Sequence, residues 1–262
     1  MNSPKSLWFI LVFGLLFTGL KAQEKNIRDS VITMSMLHVD YAPFVPGGDL
    51  ASRFGTTHTI GGAFGRKFKH NFYLEGGVRM LFGSTVKQAV ATNVATLAGN
   101  SVYGYLGVAI GNDGRQTTIR FQERGILIPV YFGKIFPLFK HLNPNSGIYV
   151  EGGIQYIQHR IWIEVPANNV AQLTRDMRKG YDRLCAGIGF LEGFGFRYFS
   201  NKRLVNFHIG VEISQNFTQP MRPVNYDTGK ADTGMRNDLL WGIKVGWTVP
   251  IYQASPDKTY YY

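Results

Sequence analysis

The sequence predicts an all-β fold, an eight-stranded antiparallel transmembrane β-barrel with short periplasmic turns and long extracellular loops. Two observations support this class. Apolar and polar side chains alternate with a period of two over long segments, and the connections between the segments alternate between short and long. Both features are typical of barrels that span the bacterial outer membrane.

The amino-acid composition excludes several classes of protein and kinds of site. Of the 262 residues, 45% are hydrophobic, which excludes a disordered chain, and the mean hydropathy of −0.08 excludes a bundle of membrane helices. The lone cysteine, Cys185, excludes an intrachain disulfide framework and a cysteine-based zinc site. The formal net charge is +11, so an anionic surface or partner is one explanation for the basic balance.

The N-terminus predicts a secretory signal peptide over residues 1–22. Lys5 precedes an apolar stretch at 7–17, and the small Ala22 stands before a cleavage point at Gln23. The barrel then occupies 23–252, and a periplasmic tail occupies 253–262. Secretion to the outer membrane also removes nucleic acid as an expected partner.

Alternation is clearest at the end of the chain. Leu239, Trp241 and Ile243 begin a run of large apolar residues at every second position, which continues to Ile251. Helical spacing would mix the two sets, whereas a strand separates them. The same test predicts eight strands, at about 30–43, 56–69, 71–83, 116–136, 147–165, 180–199, 203–217 and 238–252.

Three stretches are irregular. Residues 123–125 interrupt the alternation of the fourth strand and predict a β-bulge, near Pro129, which also weakens a ladder. In the fifth strand the apolar set changes parity between Tyr156 and Ile161, which leaves its register open. The connection 84–115 carries apolar residues at a spacing near 3.6, which predicts a short helix over the barrel mouth.

Connection lengths predict the orientation. Those around residues 70, 137–146 and 200–202 are short, whereas 44–55, 84–115, 166–179 and 218–237 are long. An even number of strands places both termini at the periplasmic end. The rival class, a soluble β-sandwich or lipocalin, would bury its large apolar face instead of exposing it.

These features resemble the small outer-membrane barrels of the OmpW and OmpX kind, in the form common in Bacteroidota. The resemblance covers nearly all of the mature chain, and its motifs are loose. It rests on the signal peptide, the eight-strand pattern and three segments: 48–55 (GDLASRFG) in the first long loop, 128–130 (IPV) within a strand, and 246–252 (GWTVPIY) in the closing strand. It implies a membrane barrel with no catalytic signature. A terminal aromatic residue is usual in such barrels, but here a tail of about ten residues follows the last strand.

Polar side chains on the inward face of the strands predict an ionic network in the lumen. An eight-stranded barrel is just wide enough for side chains to fill it, and buried charges must be paired. His38 and His208 share the same face. The predicted network comprises Asp40, Glu75, Arg79, Glu151, Arg183, Glu212 and Lys244. A narrow polar conduit is the alternative to a plug.

A basic face is predicted at the periplasmic end. It comprises Arg66, Lys67, Lys69, Lys140, Lys202 and Arg203. Together with three tyrosines in the tail, this face would attract anionic headgroups or an acidic periplasmic or outer-membrane protein. Alternatively, these side chains only snorkel at the membrane rim.

No catalytic residues, metal or cofactor are predicted. His208 and Ser214 share one strand but lie roughly 20 Å apart at strand spacing, too far for proton transfer. His38 and Asp40 are too few ligands for a metal. The expected function is therefore non-enzymatic, structural or docking within an envelope assembly. The alternatives are an OmpW-like channel for small hydrophobic molecules and, third, a lipid A-modifying enzyme.

Overall fold

The protein forms a closed antiparallel β-barrel. The computed structural model describes residues 30–101, 104–139, 142–201 and 205–252. The strands are β1 (Met34–Gly47), β2 (Thr57–Lys67), β3 (Phe72–Gly83), β4 (Thr96–Ser101), β5 (Gly104–Ile110), β6 (Gln116–Phe136), β7 (Gly147–Glu164), β8 (Cys185–Phe199), β9 (Asn206–Pro220) and β10 (Arg236–Tyr252). Because β3 pairs with β6 and β1 with β10, eight strands close the barrel, and the hairpin β4–β5 lies outside it.

Strand register fixes the shape of the barrel. Following paired residues from Glu75 through β6 and onward around the wall leads to Pro46 on β1. Following them from Glu75 through β2 leads to Met36 on the same strand, ten positions earlier. Such a stagger requires strands tilted by roughly 40° and leaves an interior that side chains can fill.

The predicted alternation is confirmed, and it is inverted relative to a soluble protein. Trp247, Ile243 and Phe194 are more than half exposed on the outer wall, whereas charged side chains between them point inward and are buried. This apolar outer surface is the lipid-facing belt of a transmembrane barrel and excludes the sandwich and lipocalin alternatives. Among the described residues, no helix has the length and apolar character needed to cross a membrane.

Long loops and short turns lie at opposite ends, as predicted. At the loop end a six-residue helix, α1 (Gly48–Arg53), folds back against β10. The predicted helix in 84–115 is wrong, because this connection forms the hairpin β4–β5, which pairs with residues 116–121 of β6. Val86, Val90 and Ala91 are buried beneath it without helical structure.

The registers of β6 and β7 are continuous, so the predicted bulge at 123–125 is also wrong. The change of parity in β7 has a different cause. Ile157, Ile161 and Ile163 all point inward, in step with Glu151 nearer the short-turn end. Since β7 has 18 residues and about 9–11 suffice to span, its outer part leaves the bilayer and places apolar side chains in a core under the loops.

Candidate functional site: the closed lumen and the barrel ends

The lumen contains a connected network of buried ions. Arg79 on β3 donates from Nη1 to Oε1 of Glu212 on β9 at 2.7 Å. Lys244 on β10 lies 3.0 Å from the other oxygen of Glu212 and donates to Glu151 on β7. All four side chains are at most 5% exposed. Each cation therefore has a carboxylate partner, as burial of charge requires.

A second cluster centres on Glu75. Arg197 on β8 donates through both terminal nitrogens to the two carboxylate oxygens of Glu75. This is the bidentate geometry that arginine favours. His38 Nε2 lies 3.1 Å from Glu75, and its Nδ1 lies 2.8 Å from the hydroxyl of Thr248. These contacts join four strands, β1, β3, β8 and β10, across the lumen.

Asp40 connects the clusters. Its carboxylate lies 2.9 Å from Nε2 of His208 and 3.7 Å from Arg79. The two histidine rings, His38 and His208, meet edge to face at 5.4 Å. The network is thus continuous from β1 to β10.

Tyrosines add hydrogen bonds and ring contacts to the network. Tyr131 donates to Glu212 at 2.9 Å and Tyr73 to Glu151 at 2.7 Å. Lys244 lies 4.3 Å from the ring centre of Tyr131, within range of a cation–π contact. Space for a third ring, Tyr149, comes from the paired Gly195 and Gly210, where a Cβ would stand within 2.8 Å of it.

Apolar layers close the lumen on both sides of the ions. Below lies a cluster that includes Met34, Met36, Ile135 and Phe199. Above, a larger cluster includes Phe44 and Phe54 and continues under the loops. Between these two clusters the buried, paired side chains of the ionic network occupy the middle of the lumen, the arrangement expected of a plug.

Six of the seven residues predicted for the lumen lie there: Asp40, Glu75, Arg79, Glu151, Glu212 and Lys244. Arg183 does not. It precedes β8 with φ of 48° and pairs with Asp227 and Asp232 at 2.8 and 3.1 Å, at the loop end. Arg197, which has the same strand parity, supplies the lumen cation instead.

The loop end is held by ion pairs outside the membrane. Besides the contacts of Arg183, Arg222 donates from Nε to Asp182 at 2.8 Å. This hydrogen bond raises the pKa of Arg222 above its ordinary value. Polar pairs therefore tie residues 182–183 to the loop that precedes β10.

The basic face is only partly as predicted. Arg66 and Lys69 are exposed. Lys67 is fully buried and donates to the carbonyl of Ile32 at 3.1 Å and to Asn145 at 2.8 Å, so it belongs to the barrel floor. Lys140, Lys202 and Arg203 lie outside the described residues, as do the signal peptide 1–22 and the tail 253–262.

The histidines of the lumen have structural partners. His208 faces Asp40, whereas Ser214 accepts a hydrogen bond from Asn216. In the described ranges, no three side chains of the His, Cys, Asp or Glu type are grouped so that they could hold a metal ion.

Comparison with known proteins finds similarity in structure alone. No protein-family model matches the chain. No curated protein matches it either. Among solved structures, the attachment invasion locus protein Ail of Yersinia pestis is similar at TM-score 0.38, with 9% identity over 83% of this chain and 99% of that chain. Its complex with the heparin analogue sucrose octasulfate gives TM-score 0.36, with 11% identity over the same shares.

Neisserial surface protein A (NspA) is similar at TM-score 0.39, with 10% identity over 82% of this chain and 96% of that chain. At this level the likeness carries no argument about ligand, partner or activity.

Proposed function

We propose that this chain is a non-enzymatic protein of the bacterial outer membrane, whose plugged barrel serves a structural or docking role in the envelope. The observation that carries the proposal is the occluded lumen, in which Arg79, Arg197 and Lys244 are buried and paired. A signal peptide over 1–22 would direct the chain across the inner membrane. The apolar belt supports an outer-membrane location, with lipid as its immediate environment.

The docking component of the proposal concerns the short-turn end. Arg66 and Lys69 are exposed there and would attract anionic groups at low ionic strength. Lys140, Lys202, Arg203 and the tail follow from the sequence as further parts of this face. Lys67 is no longer included, because its ammonium is used inside the barrel.

The ion pairs across the lumen argue against an OmpW-like channel, because such a channel needs an apolar passage for small hydrophobic molecules. The geometry also argues against a lipid A-modifying enzyme. The buried His208 contacts Asp40, and the buried His38 contacts Glu75 and Thr248. Among the residues that the structure describes, no observation favours either alternative.

Planar-bilayer recording tests the plug. The purified full chain is expected to give no stable unitary conductance steps, since side chains fill an eight-stranded interior. Glu75→Ala, which removes the partner of Arg197, is the matched variant. Regular ohmic openings of the wild type, enlarged in Glu75→Ala, would refute the plug and favour a conduit.

Co-purification tests docking. Deletion of 255–262 and neutralisation of Lys69, Lys202 and Arg203 are each expected to remove the same bound proteins, while the barrel keeps its heat-modifiable mobility. Retention of those partners by both folded variants, or their absence from the wild type, would contradict the docking role. Neutral substitution of the buried Lys67 is omitted because it would test stability instead.

A further inference from the structure

Two arginines lie side by side on the outer wall of the barrel. Arg124 on β6 and Arg160 on β7 are directly opposite each other in the ladder, and the even-numbered positions of both strands face outward. Like charges at opposite positions of neighbouring strands destabilise a sheet. An anion that both arginines can share would relieve this repulsion.

The arginine pair lies where the apolar belt ends on the long-loop side. With Lys134 as the exception, the outward positions of 126–136 on β6 and of 148–156 on β7 are apolar, aromatic or glycine. Each segment matches the roughly 9–11 residues that a tilted strand needs to cross the hydrocarbon. Arg124 and Arg160 follow these segments, so they lie at headgroup level, in the outer leaflet when the long loops are extracellular.

The barrel itself leaves this pair largely uncompensated. Arg124 forms no ion pair with any residue that the structure describes, and it donates to a backbone carbonyl and a side-chain amide oxygen of the two preceding residues, at 3.1 and 2.6 Å. Arg160 comes only to 3.9 Å from Asp182, whose carboxylate already accepts from Arg222 at 2.8 Å. Positive charge and N–H donors therefore remain for an outside partner.

A groove extends from the arginine pair onto the apolar belt. It has a volume of about 380 Å³, and Gln158 lies beside the two guanidinium groups at its polar end. Its other lining side chains include Met80, Ile126 and Leu184, which are apolar. A groove that is cationic at one end and apolar at the other fits an amphiphile with an anionic head and a hydrocarbon chain.

The neighbouring part of the rim is aromatic. On the other side of β6, Arg124 is opposite Phe82 of β3, and Phe82 is opposite His58 of β2. The rings of Phe82 and His58 stack with centres 5.7 Å apart, and Tyr41 on β1 lies within hydrogen-bond distance of His58, at 2.9 Å. Aromatic side chains are usual at this level of a membrane barrel. The arginine pair therefore marks one place for an anion, beside a stretch of rim without arginine or lysine.

We propose that Arg124 and Arg160 together bind a phosphate monoester of the lipid A headgroup, with an acyl chain of the same lipid lying in the groove. This inference rests on the outer-membrane location proposed above. A phosphate monoester carries about 1.5–2 negative charges and three acceptor oxygens, so it can accept from two planar guanidinium groups at once. A phosphodiester or a carboxylate, with a single charge, would neutralise only one of them.

Competition between two lipids tests the site. The full chain in neutral detergent micelles is mixed with equal amounts of lipid A and of dephosphorylated lipid A, and native mass spectrometry resolves the two complexes. The wild type is expected to prefer lipid A about a hundredfold, the effect of two charge-assisted contacts of about 1.5 kcal/mol each. Arg124→Gln and Arg160→Gln are each expected to reduce this preference about tenfold.

The two chemical changes are expected not to add, because the phosphate and the arginines interact with each other. Dephosphorylated lipid A should therefore bind the wild type and both variants equally. Excess inorganic phosphate should leave most lipid A bound, since it lacks the acyl chain. Heat-modifiable mobility confirms that each variant is folded.

Arg66→Gln is the matched control. Arg66 faces outward at the short-turn end of β2, opposite the uncharged Ser35 and Leu74, so its loss is expected to leave the preference unchanged. An equal reduction by Arg66→Gln would show general attraction of anions and overturn the proposal, as would complete displacement of lipid A by inorganic phosphate. A folded wild type that binds both lipids equally would refute the site alone, because the plugged barrel is tested separately by its conductance.

Discussion

Arg79 and Glu212 are joined across the lumen by a hydrogen bond of 2.7 Å, although 133 positions separate them in the chain. Arg79 lies on β3 and Glu212 on β9, and neither strand is paired with the other. Glu212 also accepts from Tyr131 and lies 3.0 Å from Lys244. One carboxylate therefore holds two cations and a hydroxyl.

Glu212→Ala is expected to destabilise the barrel by about 3–5 kcal/mol, because it leaves Arg79 and Lys244 buried with fewer partners. The free energy of unfolding, measured by urea titration of the protein in lipid vesicles, gives the value. Glu164→Ala is the control, since the pair Arg120–Glu164 is about half exposed at 3.9 Å and is worth at most about 1 kcal/mol. Equal losses in the two variants would contradict the network.

Lys67→Met and Lys69→Met are expected to differ although the residues are two apart. Lys67 makes two hydrogen bonds inside the barrel, and their loss should cost about 2–3 kcal/mol, the usual range for bonds to a charged group. Lys69 is exposed, and its loss should change stability by less than about 0.5 kcal/mol. The same urea titration measures both variants. A larger loss of stability in Lys69→Met than in Lys67→Met would contradict the buried position of Lys67.

Arg183→Ala is expected to release the loop before β10. Both ion pairs to Asp227 and Asp232 are lost, so cleavage after Lys230 by a lysine-specific protease should accelerate about tenfold, in line with losing charge-assisted bonds. Asp176→Asn removes only the exposed pair with Lys179 and should leave the rate unchanged. Equal rates in wild type and Arg183→Ala would mean that the loop is held by other contacts.

Tags placed at the two ends are expected to report the orientation. A tag near Thr228 lies in a long loop and should be cleaved by protease added to intact cells, whereas one near Asn201 lies in a short turn and should be protected until the outer membrane is opened. Western blotting of the tag provides the measurement. The reverse pattern of protection would show the barrel to be inserted upside down.

Alternation predicted the lipid-facing strands well, because the bilayer demands an apolar side chain at every second position. Ile209, Val211 and Ile243 lie on the outer wall for that reason. The rule fails where β6 and β7 extend beyond the bilayer, since Ile161 there faces a core under the loops. What the sequence presents as a change in register is a change in the surroundings of an unbroken strand.

The candidate site shows the same limit. The parity of β8 correctly marks odd-numbered positions as inward, but it does not mark where the strand begins. Arg183 precedes Cys185, the first residue of β8, and so lies outside the lumen, whereas Arg197 satisfies the same parity near the other end. In contrast, the alternation of β2 does predict that Lys67 points inward, since Lys67 continues the inward series of Ala63 and Gly65.

The ionic network draws its charges from β1, β3, β7, β8, β9 and β10. Apart from Glu212 and Lys244 on the neighbouring strands β9 and β10, its ion pairs join strands that are not adjacent. Glu75 on β3 forms its ion pair with Arg197 on β8, and Glu151 on β7 forms its ion pair with Lys244 on β10. A hairpin that entered lipid alone would leave most of these ions without their partners. Biogenesis is therefore expected to be all-or-none, with the pairing of β1 and β10 as the step that closes the barrel and brings the last buried ions together with their partners.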